Sequence, residues 1–139
     1  MPTEQNKAIT LELYTAFDNG DVEAAKKVTA ANLIAYTTGT SEPLDLQGFI
    51  DYGLMMRSAF PDGKHTFEDV IVEGDKVVTR GTFSGTHQGE LLGFPPTGEQ
   101  VKFSVMHIDR IVDGKVVEHW GQADIITLMQ QLGILPPLM

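Results

Sequence analysis

The feature that most constrains this chain is a pair of alternating segments meeting at Asp113-Gly114. From Gln100 to Val112, Val101, Phe103, Val105, His107, Asp109 and Ile111 fall on one face. Lys102, Ser104, Met106, Ile108 and Arg110 fall on the other. Period-two alternation of this length predicts a half-buried strand. Lys115 to Ala123 alternates in the same way, with Val117, His119, Gly121 and Ala123 opposite Val116, Glu118, Trp120 and Gln122. An Asp-Gly pair between two such runs is a two-residue hairpin signal. If the turn has two residues, Val112 pairs with Lys115, His107 with Trp120, and Asp109 with Glu118. His119 then shares a face with Ile108 and Met106. A bulge or a longer turn slips the register by one and brings His107 and His119 together. The pattern leaves both registers open.

The rest of the chain supplies helices first and strands later. Ile9, Leu13 and Phe17 recur at helical spacing, with Tyr14 beside them, until Asn19-Gly20 breaks the run. Asp21 is positioned to cap a second helix from Val22 to about Ala30. A short strand is expected at Ile34–Thr38. A third helix is expected from Leu46 to Phe60, with Phe49, Ile50, Leu54 and Met55 inward. Thr66–Val72 and Lys76–His87 read as strands around a Glu73-Gly74-Asp75 turn. A loop from Gly89 to Gly98 contains Pro95-Pro96, and Asp124 opens a last helix through Leu132. This order predicts an α+β fold: a bent, mostly antiparallel sheet with helices over its concave face and a cavity between them. At 139 residues the chain is expected to form a single domain over 1–139.

Composition narrows the function classes. There are 19 acidic residues against 10 basic ones, a net charge of −9. That charge disfavours nucleic acid and anionic membrane surfaces as partners. The absence of cysteine removes disulfides, thiolate zinc sites and thiol catalysis. The N-terminus lacks the apolar core of a secretory signal, so a cytoplasmic protein is expected. Histidine and carboxylate spacings match no metal motif, so no metal is expected, and there is no nucleophile elbow for a catalytic serine.

The chemistry then rests on few side chains. His107 lies on an otherwise apolar strand face and titrates near neutrality, which suits an acid or base. A buried histidine satisfied by a carboxylate or carbonyl is the plain structural alternative. His119 is a second candidate, expected to be partly exposed beside Glu118. His65 and His87 are expected at the surface. Asp124 is either a helix cap or a general base at the cavity mouth. Asp124, Asp109 and His119 are possible partners for His107. Tyr14, Phe17, Phe49, Met55, Phe103, Val105 and Trp120 are candidate walls for a small-molecule ligand, with core packing as the alternative.

One further pattern spans nearly the whole chain. His87-Gln88-Gly89-Glu90-Leu91-Leu92-Gly93-Phe94-Pro95-Pro96-Thr97-Gly98 resembles a loop of the SnoaL-like polyketide cyclases, also called predicted ester cyclases. Ile111-Val112-Asp113-Gly114-Lys115-Val116, Glu118-His119-Trp120, Asp124 and Gln131-Leu132-Gly133 match as well, as does Ala16-Phe17 before Asn19-Gly20. The resemblance implies the cone-shaped α+β barrel of the nuclear-transport-factor-2-like proteins. That fold also carries steroid isomerases, scytalone dehydratase, epoxide hydrolases and non-catalytic members. It implies aldol-type ring closure without metal or cofactor, with an aspartate as acid/base and a histidine holding the enolate. His107 matches that histidine, whereas the aspartate position is Gly121 here and Asp124 lies three residues on. The expectation is a cofactor-independent enzyme running cyclisation, isomerisation or hydration on an apolar carbonyl compound. The alternative is a non-catalytic binding protein with the same pocket. A homodimer is expected in either case.

Overall fold

Asp113 and Gly114 both take positive φ angles, 50° and 77°, as a tight two-residue hairpin turn requires. The turn joins the two strands that organise the molecule. The computed structural model describes residues 2–137. Its elements are α1 (Pro2–Asn19), α2 (Val22–Lys27), β1 (Thr29–Tyr36), α3 (Leu46–Ala59), β2 (Lys64–Glu73), β3 (Lys76–Thr86), β4 (Gln100–Val112), β5 (Lys115–Ala123) and α4 (Ile125–Gln131). The sheet runs β1-β5-β4-β3-β2. Four strands form an antiparallel meander, and β1 joins β5 in parallel. The sheet is curled but unclosed, so it is barrel-like in shape with two free edges.

Side chains on the inner face divide into two apolar clusters. One gathers Leu13, Ala16, Leu33, Phe49, Ile50, Val77, Ile111 and Val116. The other gathers Phe60, Phe83, Leu91, Val101, Phe103, Val105, Leu128 and Leu132. Between them the inward positions turn polar: Thr79 on β3, His107 and Asp109 on β4, and His119 on β5. Inward apolar burial stabilises a sheet at about 25 cal/mol per Å². A polar band across that face therefore costs stability unless its groups bond to one another.

The α2–β1 boundary departs furthest from expectation. The second helix ends at Lys27, and β1 already begins at Thr29. Ala30 and Ala31 favour helix locally, but Thr29 pairs with Val116 of β5, and tertiary pairing overrides that preference. In α3, Leu54 is 42% exposed, so it does not face inward as its apolar character suggested. Among the described residues, no helix is long and apolar enough to cross a membrane.

Candidate functional site

The hairpin register decides the site. Val112 pairs with Lys115 and Ile111 with Val116, as a two-residue turn dictates. A bulge then sets in, and Arg110 pairs with Glu118, Asp109 with His119 and His107 with Gly121. Val117 is the extra residue. Its insertion turns His119 inward, next to Asp109 and His107, and turns Trp120 outward. Trp120 is thus not a cavity wall: it stacks on Tyr36 of β1 at 6.1 Å, with ring planes 8° apart.

A cavity of about 110 Å³ lies between the concave sheet face and helices α1 and α3. One water needs roughly 10–15 Å³ on this measure. Tyr14, Phe17 and Asp18 line it from α1, and Phe49, Tyr52, Met56 and Arg57 from α3. The sheet contributes His65, Phe83, Phe103, Val105, His107, His119 and Gly121. Met55, expected in the wall, is outside it. The inward positions of α3 step from Phe49 through Tyr52 and Gly53 to Met56, so Met56 holds the place.

Behind Tyr14 and His119 sits Asp109, with no exposed surface. Its Oδ2 accepts a hydrogen bond from the Tyr14 hydroxyl at 2.7 Å, and its Oδ1 lies 2.7 Å from His119 Nδ1. A carboxylate only accepts, so Nδ1 carries the proton and donates it. In the neutral imidazole this fixes the tautomer and puts the lone pair on Nε2, which has no hydrogen-bond partner among the described residues. Burial, and then the Asp109 charge and hydrogen bond, push the Tyr14 hydroxyl well above the usual tyrosine range. Tyr14 therefore stays a donor.

Gly121 opens the space that Nε2 occupies. A Cβ there would lie 2.9 Å from His119 Nε2 and 3.2 Å from His107 Cδ2. The ring of His107 is centred 5.6 Å from that of His119 and 4.6 Å from that of Tyr14. Its Nδ1 meets the Thr79 hydroxyl at 3.1 Å, and that hydroxyl can donate to it or accept from it. Burial, then the neighbouring charges of His119 and His65, hold His107 well below the usual histidine range. At neutral pH it is an uncharged imidazole.

A second aspartate–histidine pair lies in the same cavity. His65 Nδ1 is 2.7 Å from Asp18 Oδ1, and Asp18 Oδ2 accepts from the His65 backbone N–H at 2.8 Å. The ring centre of His65 is 5.9 Å from that of His107. The histidine expected at the surface is thus built into the wall. The signal for this was the His65–Phe67 alternation, which places both on the inner face of β2. His87, also expected outside, is fully buried: it packs on Phe60, and its Nδ1 accepts from the Thr97 backbone N–H at 3.2 Å. That contact ties the two ends of the proline-containing loop together.

Asp124 does not reach the cavity. It is an exposed N-cap of α4, accepting from the Thr127 backbone N–H at 3.0 Å and from its hydroxyl at 2.6 Å. These bonds hold it below the usual carboxylate range. Both oxygens serve the cap and neither faces the cavity, so Asp124 is a helix cap and not a base at the cavity mouth. Among the described residues, no group of three or more His, Cys, Asp or Glu side chains is arranged to hold a metal ion.

Comparisons with known proteins agree with this architecture. The family model described as SnoaL-like polyketide cyclase matches residues 8–132. The chain is 34% identical over 79 residues to the aklanonic acid methyl ester cyclase DnrD of Streptomyces peucetius, covering 56% of this chain and 54% of that protein. It thus spans about half the length of that curated relative. Among solved structures, AclR of Streptomyces galilaeus, a proposed hydroxylase, superposes with a TM-score of 0.88 at 31% identity. The match covers 99% of this chain and 86% of AclR. IdmH of Streptomyces antibioticus, a proposed polyketide cyclase, gives a TM-score of 0.85 at 32% identity, covering 93% and 99%.

Proposed function

Because the chain belongs to the SnoaL-like polyketide cyclase family, we propose that it is an acid–base enzyme working without a cofactor on a small carbonyl compound held in this cavity. His119 is the general base. The observation that carries this reading is the Tyr14–Asp109–His119 chain, which fixes the imidazole tautomer and leaves Nε2 without a protein partner. In an aldol-type closure, Nε2 takes a proton from the carbon beside a carbonyl. The resulting enolate carbon bonds to a second carbonyl carbon of the same molecule. The alkoxide so formed recovers the proton from the imidazolium. Asp109 stabilises that imidazolium without itself accepting a proton. His107 is a neutral imidazole, and in the tautomer that accepts from the Thr79 hydroxyl at Nδ1 it donates from Nε2 to the enolate oxygen.

The resemblance places the family's acid at position 121, where this chain has glycine. A carboxylate at 121 and the observed place of His119 Nε2 exclude one another, since even a Cβ comes within 2.9 Å. In this reading the proton-transfer group moves from one residue of β5 to another. The bare Gly121 also favours a second reading, a binding protein with no turnover. AclR, a proposed hydroxylase on the same fold, shows how little the fold alone decides.

A homodimer through the outer sheet face accompanies either reading. Tyr36, Trp120, Ile108, Val78 and Ile71 are paired in sequence across all five strands, forming one outward apolar row. Tyr36, Ile108 and Ile71 are exposed. Such a row is the composition of an interface core.

The test is incubation with aklanonic acid methyl ester and its free acid, followed by mass-resolved chromatography. Ring closure gives a new product of unchanged mass. His119→Gln is expected to slow its formation by about 10²–10⁴-fold, the usual worth of a general base. Product formation unaffected by His119→Gln would remove the role, and tight binding without product would favour the second reading.

A further inference from the structure

The sequence has three arginines. Two hold carboxylates at the surface: Arg80 pairs with Glu68 and Asp69, and Arg110 with Glu118 and Asp75. The third, Arg57, lies in the cavity wall and pairs with no carboxylate among the described residues. In a chain with 19 acids against 10 bases, that is an unusual arginine to leave without an acid.

Its surroundings orient it without neutralising it. One Nη1 proton goes to the Asp18 backbone carbonyl at the last turn of α1. The guanidinium lies against the bare Cα of Gly20, where a Cβ would come within 2.5 Å of Nε. Gly20 has φ +67°, so a side chain there would be strained as well as crowded. The nearby Asp18 carboxylate is committed elsewhere, with one oxygen on the His65 ring and the other on the His65 backbone N–H. Asp109 is likewise closed off by Tyr14 and His119. Arg57 is thus the one cationic arginine or lysine side chain facing the cavity, and Nη2 has no protein acceptor among the described residues. A braced guanidinium fork of this kind matches a planar carboxylate.

We propose that Arg57 binds the carboxylate of an acidic ligand, so that the cavity selects an organic acid with a flat apolar body over its neutral ester. This deepens the acid–base reading by naming the charge of the substrate, and it rests on the cavity being a ligand site. The apolar body lies against Phe17, Phe83 and Phe103, and the acid group reaches the α1–α3 side.

Two probes test it by calorimetry at neutral pH: 3-hydroxy-2-naphthoate and its methyl ester. The wild-type chain should bind the acid about tenfold or more tightly than the ester, the size of one charge-assisted hydrogen bond. Arg57→Met should remove that preference by weakening the acid alone, and Arg57→Lys should keep part of it. Should Arg57→Met fail to fold, Arg57→Lys and the loss of acid affinity with added salt in the wild type decide the matter. Equal binding of acid and ester, equal weakening of both in Arg57→Met, or no binding of either probe overturns the proposal. Equal binding leaves the acid–base reading standing on His119, whereas failure of the His119→Gln test with the acid preference intact removes catalysis and keeps the anion site.

Discussion

His107 makes the stability of this protein depend on pH in a direction the site geometry fixes. Its ring faces Tyr14 from α1, His65 from β2, Thr79 from β3 and His119 from β5. Burial comes first, and the charges of the neighbouring His119 and His65 come second; together they hold it well below the usual histidine range. In the unfolded chain the same ring takes up a proton near pH 6.5. The folded chain refuses a proton that the unfolded chain accepts. The stability this group contributes is therefore complete above about pH 6.5 and is lost as the pH falls toward the depressed folded pKa. Between about pH 7.5 and pH 5.5 the unfolded ring takes up most of its proton while the folded ring resists it, and linkage bounds the loss of stability at about 1 kcal/mol. Urea unfolding of the wild type and of His107→Gln at both pH values measures it. The variant lacks the titrating ring, so its drop should be smaller by that amount. In the urea midpoint the difference is at most about 1 M. Carboxylates common to both chains cancel in the comparison. Parallel losses in the two proteins would refute the reasoning, because they would mean that His107 titrates alike in both states.

Two other substitutions probe the site and the outer face. Gly121→Ala places a methyl 2.9 Å from His119 Nε2, between two buried rings. It should cost about 1–3 kcal/mol in urea unfolding as overpacking, and an unchanged midpoint would show that the rings yield freely. Ile108→Lys puts a charge in the middle of the outward row of Tyr36, Trp120, Ile108, Val78 and Ile71. Sedimentation should show a dimer for the wild type and a monomer for the variant, and a monomeric wild type at micromolar concentration would remove the dimer.

Much of the fold was legible because each element carries its own period. The four meander strands and α3 lie close to where alternation and helical spacing put them, since those patterns follow from which face is buried. The parallel contact of β1 with β5 was not legible. Its partners are more than 80 residues apart, Thr29 with Val116 and Tyr36 with Trp120, and nothing local near Ala30 announces the strand. His87 was misplaced for a related reason. Its neighbours in sequence form a loop, but Phe60 and Thr97 enclose it from two other segments.

The site turned on a smaller quantity, one residue of register. Alternation correctly put His107 and Asp109 on one face of β4, and an unbulged β5 would have set Trp120 and Glu118 against them. Inward glutamate opposite inward aspartate is two buried like charges with no cation between them, which costs several kcal/mol per ion. Inserting Val117 as a bulge replaces that clash with the Asp109–His119 hydrogen bond at 2.7 Å. It also frees Glu118 to pair with Arg110 on the outside at 2.6 Å. Trp120 moves outward to stack on Tyr36. Each of these side chains is better satisfied in the slipped register, so the bulge follows from the polar residues of the hairpin and not from its turn. A buried carboxylate on one strand and a histidine near the facing position on the next were therefore the signal that selects the register. The same slip that satisfies Asp109 aims His119 Nε2 at the cavity beside Gly121.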